Sequence, residues 1–180
     1  MTRQGGTRHG VPRQDGPALA DVVAGALAGA LGVWALDRVD WFLYRREPAA
    51  SRLRTRAVRP GGEDPAHVAA TRLEHRLGWS PTPAQHHAAG TAIHYLIGVA
   101  PTIAYALMRK RQPALTKGRG ALYGLSAFLL ADEAMGPLLG LAAPPHKYPW
   151  QPHARSGVAH VVLGLVIEAA LREVDRRRAR

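Results

Sequence analysis

Asp132 and Glu133 stand side by side inside a long apolar stretch, Gly120 to Leu141. About 20 apolar residues in a row are enough to cross a bilayer. A carboxylate near the middle of such a segment costs about 2.5 to 3.5 kcal/mol on insertion scales, so an acid kept there is a functional candidate. Pro137 lies four residues beyond Glu133 and has no N–H. The Glu133 carbonyl therefore loses its helical partner, and both acids sit at a weak point of the helix. Two further apolar stretches carry ionisable groups: His94 in one, His160 and Glu168 in the other. Counted inward from the expected outer ends, His94 lies roughly 9 Å deep, His160 roughly 6 Å, and the two acids roughly 12 to 14 Å. Glu168 shares the His160 stripe but lies roughly 12 Å deeper, so it could be a second station on a polar path but not a co-ligand. Asp132 and Glu133 point about 100° apart on a helix and are expected to face different neighbours.

Three chemistries fit this set. Asp, Glu and His on facing helices can handle protons. The same groups can simply hold helices together, at about 0.6 kcal/mol each. Imidazole and carboxylate also suit zinc or iron, which makes a metal or haem site the third reading. No diagnostic metal spacing is present: His86 and His87 are adjacent, and no second histidine follows four residues on. The cofactor is left unassigned.

These residues need helices to position them. Ala18 to Leu36 reads as a first span, with Gly25 and Gly29 at the spacing that lets two helices approach closely. A signal peptide is the rival reading, but no A-x-A cleavage site follows the apolar run. Asp37 to Arg59 mixes Trp41, Phe42 and Tyr44 with arginines, as expected of a helix lying in the interface. Asp64-Pro65 and Gly78 bracket a short outer helix, Pro65 to Leu77. The second span is 88–108, the third 120–141 with Gly120 and Gly124 again at packing distance, and the fourth 156–171. Residues 1–17 read as a disordered tail and 172–180 as a basic one. The fold class is all-α: a four-span transmembrane helical bundle with an interfacial helix after the first span and a short outer helix. The competing architecture is a soluble bundle whose buried acids pair with arginines.

The chain of 180 residues carries a net charge of +11 and no cysteine. Disulfides, thiolate metal sites and cysteine nucleophiles are excluded. The positive charge sits in tails and connections and spares the apolar stretches, which is the flank pattern of a membrane protein and not a nucleic-acid groove. The partners expected are the bilayer, anionic lipid headgroups at the basic loops, and a second copy or another membrane protein at the Gly-rich faces. With no Ser-His-Asp set, phosphate loop or H-E-x-x-H, the chain does not read as an enzyme.

His94 with Tyr105, Gly120-x-x-x-Gly124, Pro137-Leu-Leu-Gly140-Leu, Pro144-Pro145, Pro149-Trp150, His160 and Ile167-Glu168 follow one another over the second half of the chain. In these features the chain resembles the YagU-like family of bacterial inner-membrane proteins. The resemblance implies a multi-pass protein of the bacterial inner membrane and supplies no established reaction. Asp132 and Glu133 are not part of it.

Orientation follows from charge. The loop 109–119 and the tail 172–180 are both short and basic, and they lie two spans apart. They therefore share the cytoplasmic side, and with four spans the N-terminus joins them. The connection 37–87 then lies outside, despite its nine arginines, which six acids partly offset. His67, His75, His86, His87, His146 and His153 fall in the outer connections, so mild acid would charge that face. Reporter fusions at the two termini should both read cytoplasmic; an external signal at the C-terminus would overturn this orientation and the depths above.

Overall fold

A computed structural model describes residues 19–180; the N-terminal tail expected to be disordered lies outside them. The described residues form helices and connections without a strand. In chain order the helices are α1 (Leu19–Tyr44), α2 (Ala49–Val58), α3 (Pro65–Leu77) and α4 (Pro83–Met108). Next come α5 (Ala121–Ala127), a π-helical stretch (Phe128–Met135) and α6 (Gly136–Leu138), which run on from one another. The last helix is α7 (Trp150–Arg178). Three of these, α1, α4 and α7, are long and apolar enough to cross a membrane.

The expected third span differs from the other three. It is helical from Ala121 to Leu138 but divided, and none of its pieces reaches spanning length alone. Pro137 supplies the reason. Without its N–H the α-helical ladder cannot continue past Glu133, and the Gly136 N–H instead reaches the Ala131 carbonyl five residues back.

Helix ends also differ from the sequence boundaries. α1 runs eight residues beyond Leu36, so Trp41 and Phe42 sit on its last turns and α2 is the separate helix at that level. α4 begins at Pro83 and not at Ala88, because Thr82 and Gln85 close a capping box. α7 begins at Trp150 and absorbs most of the basic tail, which remains helical to Arg178. Arg177 donates to Glu173 at 2.7 Å across one turn of that tail. α3 carries its caps locally: the Asp64 carboxylate accepts the N–H groups of Ala66 and His67, and Gly78 ends the helix at φ +62°.

α1 packs against both α7 and α4, α5 packs on α7, and α3 on α4. α4 and α7 both run antiparallel to α1. Arg178, at the end of α7, pairs with Asp21 at the start of α1, while Arg155, near the start of α7, pairs with Asp40 at 2.7 Å. The start of α1 and the ends of α4 and α7 thus meet at one end of the bundle. Asp37, His94, α3 and the start of α7 meet at the other.

Small residues make the contacts. A Cβ on Gly25 would stand 3.0 Å from Ile103 Cα, and one on Gly29 3.0 Å from Val99 Cα, so both glycines face α4. Gly120 and Gly124 face Gly164 and His160 of α7 so closely that a Cβ at Gly124 would collide with the His160 carbonyl oxygen. All four glycines that could have recruited a partner helix are covered by this chain's own helices. Many large apolar side chains point outward, Leu27 at 68% exposed and Leu130 at 64%, while Leu36, Leu163 and Ile167 fill the core beside Ala28. Small residues at the helix contacts and many leucines outside suit a hydrocarbon solvent, in which close backbone approach gains dispersion contact.

Gly124→Leu should separate α5 from α7, at a cost above the ~1–3 kcal/mol usual for overpacking. Gly157→Ala, whose Cβ would meet the Phe128 ring at 3.7 Å, should be tolerated. Thermal unfolding in detergent compares the two.

Candidate functional site

Glu168 is fully buried, and its carboxylate receives four hydrogen bonds. Tyr105 Oη donates at 2.7 Å, Arg109 Nε at 2.9 Å, Arg109 Nη2 at 2.9 Å and Arg172 Nε at 2.6 Å. Arg109 reaches on to Asp175 at 2.6 Å and is itself buried. Lys110 bridges Asp21 at 3.1 Å and Asp175 at 3.4 Å, which brings the start of α1 into the same network. Above it, Tyr105 stacks on Tyr123 with centroids 4.3 Å apart, and Tyr123 Oη meets Thr102 Oγ1 at 3.0 Å. Long side chains therefore bridge from α4 to α5 and α7.

This network gives Glu168 a setting other than the open polar path in which it could be a second proton station. A carboxylate has about four acceptor positions, and here two guanidinium groups and a phenol take up four. No position is left for a proton, and a guanidinium cannot release one. Sequence reasoning placed Arg109 in a solvated basic loop. The signal available was its position, one residue past the end of α4 and on the stripe of Tyr105, four residues earlier.

The opposite end of the bundle holds histidines against acids. His94 Nε2 meets Asp37 Oδ1 at 2.9 Å. His153 Nδ1 meets Glu133 Oε1 at 2.6 Å, and its Nε2 meets the Pro145 carbonyl at 3.1 Å. Ser156 Oγ donates to Asp132 and lies 3.2 Å from His160 Nδ1, which is 3.9 Å from the same carboxylate. Asp132 and Glu133 both meet α7 but face different residues of it, Ser156 and His160 for the first and His153 for the second. His94 pairs with α1 and does not join His160 and the acids, so the single cluster of His94, Asp132, Glu133 and His160 is two separate arrangements. His153, which the sequence placed in a loop, is the partner of Glu133 because α7 starts early enough to carry it.

A third arrangement ties α3 to α4. His86 Nδ1 lies 3.0 and 3.1 Å from the two Glu74 oxygens, and its Nε2 lies 3.2 Å from Glu63 Oε1. His67 Nδ1 meets Asp64 at 2.7 Å and its Nε2 meets His87 Nδ1 at 3.2 Å. Burial pushes the Asp64 carboxyl up, but the His67 backbone N–H and ring more than offset this and hold it below the usual carboxylate range. Arg72 of α3 caps the end of α6, donating to the Leu139 and Gly140 carbonyls at 2.6 Å each.

Residues 77–169 match the model of a family described as a protein of unknown function, DUF1440. The chain belongs to the DUF1440 family. The matched region, more than half of the chain, includes α4, α5, α6 and α7 up to residue 169, and with them His86, His94, Asp132, Glu133, His153, His160 and Glu168. No curated protein and no solved structure matches the chain. Among the described residues no three histidine or acidic groups converge as ligands of a metal ion.

Arg109→Met leaves the Glu168 charge buried without its bidentate partner and should cost about 3–5 kcal/mol. Combining Arg109→Met with Glu168→Leu should recover most of that loss, because no buried charge is left unpaired. Unfolding of the two variants, with the Glu168→Leu single as reference, checks the sign.

Proposed function

We propose that this DUF1440 protein is a multi-pass protein of the bacterial inner membrane whose outer end senses protons. Four membrane-buried segments are assigned: α1, α4, α7 and the divided helix from α5 to α6. The fourth is supported by its close packing along α7 and by Leu122, Leu125, Leu129 and Leu130, which are exposed on it. Both termini are assigned to the cytoplasm because the basic loop 109–119 and the basic end of α7 lie at one end of the bundle. Those basic segments are placed to meet anionic lipid headgroups. The family match overlaps the region of YagU-like resemblance, which favours the same location.

One observation carries the sensing reading. His86 and His153 each stand between two groups that only accept hydrogen bonds: Glu74 and Glu63 for the first, Glu133 and the Pro145 carbonyl for the second. A neutral imidazole has one N–H and can satisfy one such neighbour. The doubly protonated ring satisfies both. For His86, acid therefore completes a bridge between α3, the segment before it and α4, and base removes one of its two bonds. For His86 the hydrogen bond to Glu74, and then that to Glu63, outweigh burial and raise the pKa above the ordinary imidazole value. Sensing is favoured over conduction because the other end of the bundle is locked by arginine pairs.

The sign of the response follows. The His86 bridge is complete below the histidine range and weakens as pH rises through it. Amide exchange in α3, corrected for the intrinsic pH dependence of exchange, should be slower at pH 5.5 than at pH 8. Glu63→Gln should reduce that difference and leave α5 unaffected. Equal protection of α3 at both pH values would sink the proposal.

A further inference from the structure

The contact between His67 and His87 differs from the other histidine contacts, because it joins two rings and not a ring and an acid. We propose that His67 and His87 form a two-nitrogen site for a divalent transition-metal ion of the zinc and copper class. It lies at the outer junction of α3 and α4.

The geometry supplies three arguments. Asp64 is a carboxylate and can only accept, so the Nδ1 that it meets at 2.7 Å must carry the proton. That leaves the lone pair of a neutral His67 on Nε2, the atom facing His87. A carboxylate on the far nitrogen is the usual second partner of a metal-bound imidazole, where it fixes the tautomer and the ring orientation. Second, the two facing nitrogens are 3.2 Å apart. Two ligands each about 2.0–2.1 Å from a tetrahedral zinc ion stand about 3.3–3.4 Å apart, so the spacing fits and the rings need only turn until both lone pairs meet at the ion. Third, a place has been cleared for the ring. A Cβ at Gly90 would stand 2.6 Å from His67 Nε2, and glycine inside a helix costs about 1 kcal/mol relative to alanine.

The two rings lie nearly parallel, with an interplanar angle of 20°. His87 is exposed, which leaves a side open for the water molecules that complete the coordination sphere. In the metal-free protein the His87 Nδ1–H donates to His67 Nε2. Metal binding shifts His87 to its other tautomer: the Nδ1 proton leaves to solvent while Nε2 takes one up, with no net release, and both facing nitrogens then donate lone pairs to the ion. His86 is not a ligand, since both its nitrogens are directed at Glu74 and Glu63. Imidazole ligands select zinc and copper over magnesium and calcium, which prefer oxygen. The inference does not depend on the sensing proposal, because it uses a different pair of rings.

The test is zinc and copper titration of the full chain in detergent at pH 7.5, read by competition with a chromogenic chelator. The expected result is one ion per chain, undisturbed by excess magnesium or calcium. His87→Ala, at an exposed position where folding is not at risk, should abolish that binding. His86→Ala should keep it, and Asp64→Asn should weaken it by about tenfold or more. Absence of saturable binding, or binding that survives His87→Ala unchanged, overturns the site. The α3 exchange measurement, made in the presence of chelator, separates its failure from failure of the proton reading.

Discussion

An ionised carboxylate inside a helical bundle must be answered by donors, and the Glu168 carboxylate determines what surrounds it at its end of the bundle. It cannot be left alone: even an imperfectly desolvated charge costs several kcal/mol. Arg109 answers it bidentately, and this requires α4 to end at the level of Glu168 so that the side chain can turn inward. Asp175 then neutralises the remaining guanidinium edge, and Lys110 couples Asp175 to Asp21 on α1. One buried charge thus sets the relative heights of α1, α4 and α7. Such a network specifies register more than it adds stability, since a well-packed apolar set would cost less to bury.

Register along the helices is fixed a second time by glycine. Gly25 and Gly29 admit α4 to the surface of α1, and Gly120, Gly124 and Gly164 bring α5 and α7 into backbone contact. Sliding either pair by one residue would put a side chain where no Cβ fits. The two devices act together. Glycine contacts set the distances, and the ion pairs choose among the registers that those distances allow. The same closeness brings Asp132 and Glu133 within reach of Ser156 and His153 on α7.

Much of the helical layout is legible in the sequence, because capping and breaking signals are local. Asp64-Pro65 and Gly78 bracket α3 at its observed ends, and the weak point expected at Pro137 is the π-helical stretch. Helix ends set by longer-range effects are less legible. α1 and α7 both extend past their apolar runs, because charged residues can continue a helix once its outer turns no longer need to be apolar. Partnerships are the least legible. Depth counting brings His94, His160 and the acids to a common level, but level is not azimuth. His94 lies on the α1 face of α4 and meets Asp37, while the acids lie on the α7 face of the divided helix. Arg109 was hidden for a similar reason: a basic residue beside Lys110 and Arg111 looks solvated until the helix behind it supplies a buried acid.

The two ends of the bundle differ in the kind of cation they use, and this difference carries functional meaning. At the end where α4 and α7 finish, the acids are paired to arginine and lysine, whose charge does not change across the physiological range. At the other end, His67, His86, His94, His153 and His160 each lie within 4.0 Å of a carboxylate, with Arg155 the arginine anchor among them. A protein built only for rigidity would gain from arginine at both ends, since a histidine pair is a full ion pair only while the ring is protonated. On the proposed sensing reading, histidines placed where α3 and the start of α7 are fastened are the adjustable fastenings. The opposite end meanwhile holds the helices in register whatever the protonation state. In that proposal one end is fixed and the other adjustable, so the bundle would report a change in its surroundings without passing a proton through.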